Sequence, residues 1–168
     1  MKGLMQDWPL TVMSIIDHAN RFHAEREIVT RTVEGPIHRC TYSDIHLRAR
    51  KCAQALQKLG MKQGDVIATM AWNTHRHMEA WYGIMGMGAV CHTLNPRLFA
   101  EQLTYIINHA EDQFIFFDTT FVPVIEAVAD TLPNVKGFII LTDKEHMPET
   151  KLKNVYCYEE IVEAEDGN

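Results

Sequence analysis

The sequence has 168 residues, enough for one ordinary domain but cramped for two. Its composition, 46% hydrophobic and 23% charged, is that of a globular protein and excludes disordered, collagen-like and fibrous classes. The 16 basic and 22 acidic residues give a net charge of −6, which argues against a DNA or RNA ligand. Five of the acids and no base lie from Glu159 onward, so the negative charge is concentrated at the C-terminal end.

The cysteine pattern indicates a reducing setting, and we expect a cytoplasmic protein. The four cysteines are widely spaced and form no Cys-x-x-Cys pair; they are Cys40, Cys52, Cys91 and Cys157. No export signal is expected, because Asp7 and Pro9 interrupt any apolar run behind Lys2. The longest stretch of apolar residues and glycine, 80–91, is too short to span a bilayer, so no membrane span is predicted.

The first elements predicted along the chain are a helix and a hairpin. Apolar residues recur on one face of a short helix after Pro9, namely Val12, Ile15, Ile16, Ala19 and Phe22. Residues 27–31 and 38–42 have strand character and flank a Glu-Gly-Pro turn at 34–36, which predicts a β-hairpin.

The clearest predicted helix follows the hairpin. Thr41 and Asp44 have the spacing of a capping box, and Gly60 is placed to end the helix. The apolar stripe of this helix consists of Ile45, Ala49, Cys52, Ala53, Leu56 and Leu59. A tight turn at 62–65 then leads into a short apolar run at 66–71, which is typical of a buried strand.

Strands and helices alternate through the rest of the chain. Asn73 or Thr74 is expected to cap a Met-rich helix, and Asp118 is expected to cap a later one. Further strands are predicted at 88–93, 114–117, 137–141 and 155–158, with helices at about 74–87, 100–109 and 122–129. This alternation predicts an α/β fold, a layered, mostly parallel sheet with helices on both faces.

Three glycines, Gly83, Gly86 and Gly88, form a G-x-x-G-x-G pattern that is the reverse of the dinucleotide fingerprint. They end a predicted helix, whereas phosphates are bound by the amides at a helix N-terminus. Close packing of this helix against the sheet is therefore favoured over a ligand contact.

No complete metal or nucleophile site is evident in the sequence. His75 and His77 are two positions apart on a predicted helix and do not face each other, so partly exposed helix histidines are favoured over a metal site. The two serines lack a nucleophile-elbow pattern. Cys91 beside His92 resembles a thiol and base, but a buried cysteine on a strand is the more ordinary interpretation.

Methionine and aromatic residues recur from position 70 to position 87; they are Met70, Trp72, Met78, Trp81, Tyr82, Met85 and Met87. Core packing explains such a stripe best, and an apolar ligand tunnel is the alternative. The residues alone thus lead to a doubly wound α/β domain without a complete active site.

A long segment in the middle of the chain carries a more specific signal. The run AWNTHRHMEAWYGIMGMGAVCHTLNPRLF at 71–99 and EQLTYIINHAED at 101–112 closely resemble the N-terminal region of the AMP-forming acyl-CoA synthetases. MQDWPLTV at 5–12 and TYSDI at 41–45 resemble parts of the bacterial medium- and long-chain fatty-acyl-CoA ligases. The resemblance extends from about residue 5 to at least residue 142 and implies the N-terminal subdomain of the adenylate-forming enzyme fold.

This resemblance implies that a longer parent enzyme uses a fatty acid, ATP, Mg²⁺ and CoA. The acid and ATP would give an acyl-adenylate and pyrophosphate, and CoA would then displace AMP to form the thioester. The family's phosphate loop, ribose-binding aspartate and catalytic lysine lie beyond the matched region, and Thr119 and Thr120 have no glycine near them. We therefore assign no catalytic residue and no metal ligand, and we expect neither tight cofactor binding nor catalysis from this chain alone.

Four residues are candidates for lining the ligand cleft of that fold. Trp72, Asn73 and His75 follow the strand predicted at 66–71, and Asn95 follows the strand that ends at Thr93. The carboxyl ends of parallel strands border the ligand crevice, so we expect these side chains at one edge of the sheet.

The expected organisation is an acyl-CoA ligase subdomain at 1–158, followed by an acidic tail or the start of a linker at 159–168. Related ligases dimerise through their N-terminal segment, so the resemblance implies a homodimer that involves residues 1–40. An autonomous doubly wound nucleotide- or flavin-binding module and a protein-interaction module stay open as alternatives. The lack of a phosphate loop argues against the first alternative.

Overall fold

A computed structural model describes residues 3–168, so Met1 and Lys2, at the start of the segment expected to dimerise, lie outside it. The helices and strands follow the predicted order. They are α1 (Met13–His23), β1 (Glu27–Arg31), β2 (Ile37–Thr41), α2 (Tyr42–Lys58), β3 (Val66–Met70), α3 (His75–Gly86), β4 (Val90–Thr93), α4 (Ala100–Ala110), β5 (Phe114–Phe117), α5 (Val122–Val128), β6 (Gly137–Ile140), β7 (Val155–Cys157) and α6 (Tyr158–Glu163).

The five strands from β3 to β7 form one parallel sheet in the order β4-β3-β5-β6-β7. Strands β5 and β6 are buried at every position, which explains their continuous apolar sequences. Alternate side chains of β5 enter different cores: Ile115 and Phe117 face α4 and α5, whereas Phe114 and Phe116 face α2, α3 and α6. The predicted α/β fold, with a parallel sheet covered on both faces, is confirmed.

The hairpin of β1 and β2 is a separate antiparallel pair outside this sheet. It lies beside a third, smaller core between α1, α2 and α3, in which Ile16, Ile45 and Tyr82 are buried. Among residues 3–168 no helix is long and apolar enough to cross a membrane.

Two predicted helix caps are confirmed, and one is wrong. Thr41 and Asp44 form the capping box of α2, and the Thr74 hydroxyl accepts the His77 backbone N–H at the start of α3. The Asp118 side chain caps no helix, because its carboxylate is engaged by another strand end. A local pattern identified a polar residue at a helix start but not the tertiary partner that it binds.

Residues 159–168, expected to be an acidic tail or the start of a linker, contain part of α6 and contact α2. Val162 is fully buried in the core under α2 and α3. Glu165 forms an ion pair with Lys58 at 2.8 Å, and Gln54 donates a hydrogen bond to Asp166.

The glycine pattern serves close packing, but the partner is a helix and not the predicted sheet. A Cβ added to Gly83 would lie 2.8 Å from the Ala49 carbonyl oxygen and 2.9 Å from the Cys52 Cβ, both on α2. Gly88, with φ of +82°, provides the turn from α3 into β4. Because Gly83 has no side chain, α3 can lie directly on α2.

Replacing Gly83 with alanine is expected to lower the free energy of unfolding by about 1–3 kcal/mol, because the new methyl group would overlap the backbone of α2. Urea denaturation followed by circular dichroism measures this loss. Gly86→Ala is the matched control, since its added Cβ would meet only the flexible side chain of Met13. A Gly83→Ala chain as stable as the Gly86→Ala chain would contradict the packing argument.

Candidate functional site

The carboxyl edge of the parallel sheet is the candidate functional site. From β3 the chain moves to one side to form β4 and then returns across β3 to form β5, so the winding direction reverses between β3 and β5. Open α/β sheets bind ligands in the crevice at such a switch point. Trp72 follows β3 and Asp118 follows β5, so these two residues flank the crevice.

A hydrogen bond bridges the switch point. The Asp118 carboxylate accepts the Trp72 backbone N–H at 2.6 Å. The Trp72 indole N–H donates to the Thr120 hydroxyl at 3.0 Å, and the indole ring lies 5.4 Å from the ring of Phe121. This arrangement holds the half-exposed indole across the mouth of the crevice.

Asp118 is a site residue that the sequence reasoning missed. Its side chain is buried, and this burial raises the pKa of the Asp118 carboxyl to about 6, while the hydrogen bond from Trp72 opposes the shift. The sequence contained one signal for Asp118, because its carboxyl group directly follows an apolar strand. The same position also suits a helix N-cap, which is the role that was predicted.

Asn73 and His75 border a cavity of about 500 Å³ between β1 and α3, called the β1–α3 cavity below. Six of its other lining residues come from the two walls: Ile28, Val29 and Thr30 on β1, and Met78, Trp81 and Tyr82 on α3. The methionine and aromatic stripe therefore has two roles, because Met70 lies in the core whereas Met78 and Trp81 border this cavity.

His75 is buried, so the prediction of partly exposed helix histidines is wrong for this residue. Its ring stacks on that of His38 in β2, with centroids 3.8 Å apart and planes inclined by 17°. Burial lowers the pKa of His75 to about 3, and positive charge on the stacked His38 ring and then on the nearby Arg76 and Arg48 adds to the effect. Its Nδ1 atom is buried without a hydrogen-bond partner in the described part of the chain.

His77, the second histidine of the pair, is fully hydrogen bonded. Its Nδ1 donates to the Trp72 carbonyl at 3.2 Å, and its Nε2 accepts from the Thr69 hydroxyl at 3.1 Å. It thus ties the start of α3 to β3. His75 instead stacks on β2, so the two rings have different neighbours.

The contacts of Asn95 differ from those of the other three candidates. Its side chain is exposed after β4, and its Oδ1 accepts the backbone N–H of Arg97 at 3.0 Å, which closes a local turn. The structure therefore brings Asn73 and His75 to one cavity, places Trp72 at the switch point, and leaves Asn95 on a neighbouring exposed turn. Their role in lining a substrate cleft stays a prediction.

A buried ionic network crosses the same edge of the sheet, and we call it the arginine network. Arg76 on α3 binds Glu34 of the hairpin turn and Glu159 of α6, both at 2.7 Å. Arg48 on α2 binds Glu159 at 2.6 Å and Glu79 of α3 at 2.8 Å. The two guanidinium groups thereby join the hairpin to three helices.

Glu79 and Tyr158 form the deepest part of the arginine network. Glu79 is fully buried and accepts a hydrogen bond from the Tyr158 hydroxyl at 3.0 Å. Burial raises the pKa of Glu79 to about 7, although its ion pair with Arg48 opposes the shift. Both arginines bind carboxylates, and Glu79 binds Arg48 and the Tyr158 hydroxyl. Because these polar groups are paired, the network stabilises the fold and holds α3 at the sheet edge.

Cys91 and His92, which resemble a thiol and a base in the sequence, have separate surroundings in the structure. Cys91 is half-buried, and burial raises the pKa of its thiol to about 11, so the thiol is protonated at neutral pH. His92 contacts the buried carboxylate of Asp112 at 2.8 Å. Within residues 3–168 no group of three or more His, Cys, Asp or Glu residues is arranged to hold a metal ion.

The sequence matches a known enzyme family over most of its length. A family model described as AMP-binding enzyme matches residues 16–166. A 3-methylmercaptopropionyl-CoA ligase from Ruegeria lacuscaerulensis is 43% identical over 166 residues, and a medium-chain fatty acid CoA ligase from Ectopseudomonas oleovorans is 41% identical over 168 residues. These alignments cover 99% and 100% of this chain but only 31% of each relative.

Solved structures share the fold at lower sequence identity. An anthranilate CoA ligase in complex with anthranoyl-AMP has a TM-score of 0.82 at 17% identity, covering 98% of this chain and 30% of that one. A fatty acyl CoA synthetase from Mycobacterium tuberculosis has a TM-score of 0.74 at 20% identity, covering 94% of this chain and 29% of that one. The chain thus spans less than a third of each of these four proteins.

Proposed function

Because this chain belongs to the AMP-binding enzyme family, we propose that it is the N-terminal part of an AMP-forming fatty-acyl-CoA ligase. The observation that carries the proposal is the 41% identity to a medium-chain fatty acid CoA ligase over the whole of this chain. The complete enzyme would activate a fatty acid with ATP to an acyl-adenylate and then transfer the acyl group to CoA. The resemblance supports Mg²⁺ as the ion that accompanies ATP.

Within this proposal, the chain supplies one wall of the substrate cleft. Trp72 and Asp118 at the switch point, with Asn73 and His75 beside them, are the residues that would face the remainder of the enzyme. Asn95 would border the same cleft from the turn after β4. The four free cysteines support a cytoplasmic location, where thiols stay reduced.

We propose that ATP and Mg²⁺ are bound mainly by other parts of the parent enzyme. Residues 3–168 contain no suitable cluster of three or more potential metal ligands. The buried Arg76 and the half-buried Arg48 already form ion pairs with Glu34, Glu79 and Glu159, so neither has a free charge for a phosphate. Adenylate formation needs donors placed where charge develops, and we propose that other parts of the parent enzyme supply them.

We expect the 168-residue chain to give no pyrophosphate exchange above a no-enzyme blank. The assay follows labelled pyrophosphate into ATP with Mg²⁺ and a panel of short to long fatty acids, beside the full-length parent enzyme. The parent is expected to exchange in the presence of its preferred acid. Exchange by the purified chain would contradict its proposed incompleteness, and a parent without acid-dependent exchange would contradict the ligase proposal.

We also propose that the N-terminal segment forms a homodimer contact. The segment before α1 and the outer face of α1 expose large apolar side chains, namely Leu4, Met5, Trp8, Leu10, Ile15 and Phe22. A groove of about 690 Å³ lies between this segment and α1. Several exposed large apolar side chains on one short segment are typical of a protein interface.

Sedimentation equilibrium at high micromolar concentration is expected to give a dimer mass for the wild-type chain. Ile15→Asp is expected to shift the population to monomer, because a charge would be desolvated in the contact. Phe99→Asp, at an exposed apolar position outside the segment, is the matched control and is expected to stay dimeric. A wild-type monomer at these concentrations would contradict the proposed contact.

A further inference from the structure

One edge of the hairpin carries unpaired backbone groups. Beyond the two ends of the β1–β2 ladder, the Thr32 and Tyr42 backbone N–H groups donate across the hairpin to carbonyl groups. Hydrogen-bonded pairs alternate along an antiparallel ladder, so every second residue of β1 turns its N–H and C=O away from β2. These residues are Glu27, Val29 and Arg31, and within residues 3–168 their backbone groups form no hydrogen bond.

The β1–α3 cavity lies beside this unpaired edge. Three consecutive residues of β1, Ile28, Val29 and Thr30, border the cavity, although successive side chains of a strand point to opposite faces. Among the described residues of β2, none borders it. A cavity on one face of the hairpin would be lined by alternate residues of both strands, so this cavity lies at the edge of β1. Val29, at the centre of the edge, is 51% exposed.

The rest of the lining suits a segment of polypeptide. The methionine and aromatic side chains of α3 form an apolar opposite wall. The side chains of Thr30, Asn73 and Thr93 also border the cavity and form no hydrogen bond within residues 3–168. An added strand needs both features, because its backbone bonds to a free edge and its alternate side chains fill apolar pockets.

The hairpin lacks the further strand that such units ordinarily have. An isolated two-stranded hairpin is marginally stable in water, and an unpaired edge is a template for another strand. The hairpin is outside the five-stranded sheet, so that sheet does not supply the missing strand. More than two thirds of each curated relative described above lies outside its alignment with this chain.

We propose that an extended segment from the remainder of the parent enzyme pairs with the free edge of β1 and places alternate apolar side chains in the β1–α3 cavity. The segment forms backbone hydrogen bonds with Val29 and, on either side, with Glu27 and Arg31. This inference rests on the proposed function, because it takes the chain to be the N-terminal part of a longer enzyme.

Hydrogen exchange of the full-length parent and of the 168-residue chain tests the proposal. Exchange is followed at pH 7 by mass spectrometry with residue-resolved fragmentation. We expect the Val29 amide to exchange at least about tenfold more slowly in the parent, because it gains a hydrogen-bond acceptor there. The amide of Arg39, its partner in the register of β2, faces the opposite edge and is expected to exchange at similar rates in both proteins. Equal slowing of both amides would contradict pairing at β1.

Val29→Pro removes the outward N–H group without removing a hydrogen bond inside the hairpin, since proline is tolerated at such edge positions. In the parent, this variant is expected to return the Arg31 amide to its exchange rate in the 168-residue chain. Arg39→Pro, on the opposite edge, is the matched control and is expected to preserve the slow exchange of Arg31. Circular dichroism of both variants verifies that they are folded.

Four further results would contradict the proposal. Equal exchange of Val29 in the two wild-type proteins would do so whether or not the variants fold. Slow exchange in the 168-residue chain that increases with protein concentration would make a second copy the occupant. Protection of Thr93 in β4 without protection of Val29 would place the segment on another edge. Slow exchange of Arg31 in the Val29→Pro parent would indicate burial without backbone pairing.

The pyrophosphate exchange assay tests the ligase function separately from this inference. A parent that shows acid-dependent exchange but leaves Val29 unprotected would contradict the added strand alone. A parent with a protected Val29 and no acid-dependent exchange would contradict the ligase function alone.

Discussion

Replacing Arg76 with methionine is expected to lower the free energy of unfolding by about 3–5 kcal/mol, the cost of leaving the buried side chain of Glu34 without its cation. Arg76 is 8% exposed and binds Glu34 and Glu159 from two distant segments. Glu34 would keep only the hydrogen bond from Thr142, because Arg76 is its one ion-pair partner within residues 3–168. Urea denaturation followed by circular dichroism measures the loss.

Two further variants test whether this loss of stability is specific to the arginine network. Arg97→Met changes an exposed arginine and is expected to alter stability by no more than about 0.5 kcal/mol. The double variant Arg76→Met with Glu34→Gln is expected to lose less than the sum of the two single variants, since the residues are coupled. An Arg76→Met chain that loses less than about 1 kcal/mol would contradict a buried ionic role.

The second large effect concerns pH. The pKa of His75 is about 3 in the folded chain, against 6.5 for an ordinary histidine. Between these values the unfolded state binds a proton that the folded state does not, so the contribution of His75 to stability is full above pH 6.5 and falls as the pH is lowered toward 3. Acidification from pH 7 to pH 5 is expected to remove about 2 kcal/mol through this residue.

The total stability will not report this loss directly, because carboxyl groups with raised pKa values act in the opposite direction; burial also raises the pKa of Asp112. Burial raises the pKa of Asp118 to about 6 and that of Glu79 to about 7, so both favour the folded state as the pH falls through these values. The useful quantity is therefore the difference in unfolding free energy between wild type and His75→Phe. This difference is expected to shift by about 2 kcal/mol from pH 7 to pH 5. A difference that is independent of pH would contradict a buried, neutral His75.

The features that sequence reasoning predicted correctly are local or follow from simple burial. The Thr41–Asp44 capping box needs only two residues three positions apart, and the structure contains it. The strands β5 and β6 are continuous apolar runs because a parallel sheet buries both faces. The family resemblance is also confirmed, since the motifs quoted from 71–99 lie within the matched residues 16–166.

The features that were missed depend on partners distant in sequence. Glu34 is 42 residues from Arg76, and Arg48 is 111 residues from Glu159, so no periodicity relates them. Asp118 was assigned to a helix cap because its neighbour Trp72, 46 residues earlier, could not be anticipated. His75 was expected to be partly exposed because its stacking partner His38 lies on the hairpin, whose position over α3 follows from tertiary packing.

The separate hairpin of β1 and β2 has a kinetic consequence. Within residues 3–168 no backbone hydrogen bond joins it to the five-stranded sheet, and its turn is held by the side chain of Glu34. A unit attached in this way can open locally without breaking a strand pairing, and its amide protons would then exchange through a sub-global event. Since β1 forms one wall of the β1–α3 cavity, such an opening would remove that wall.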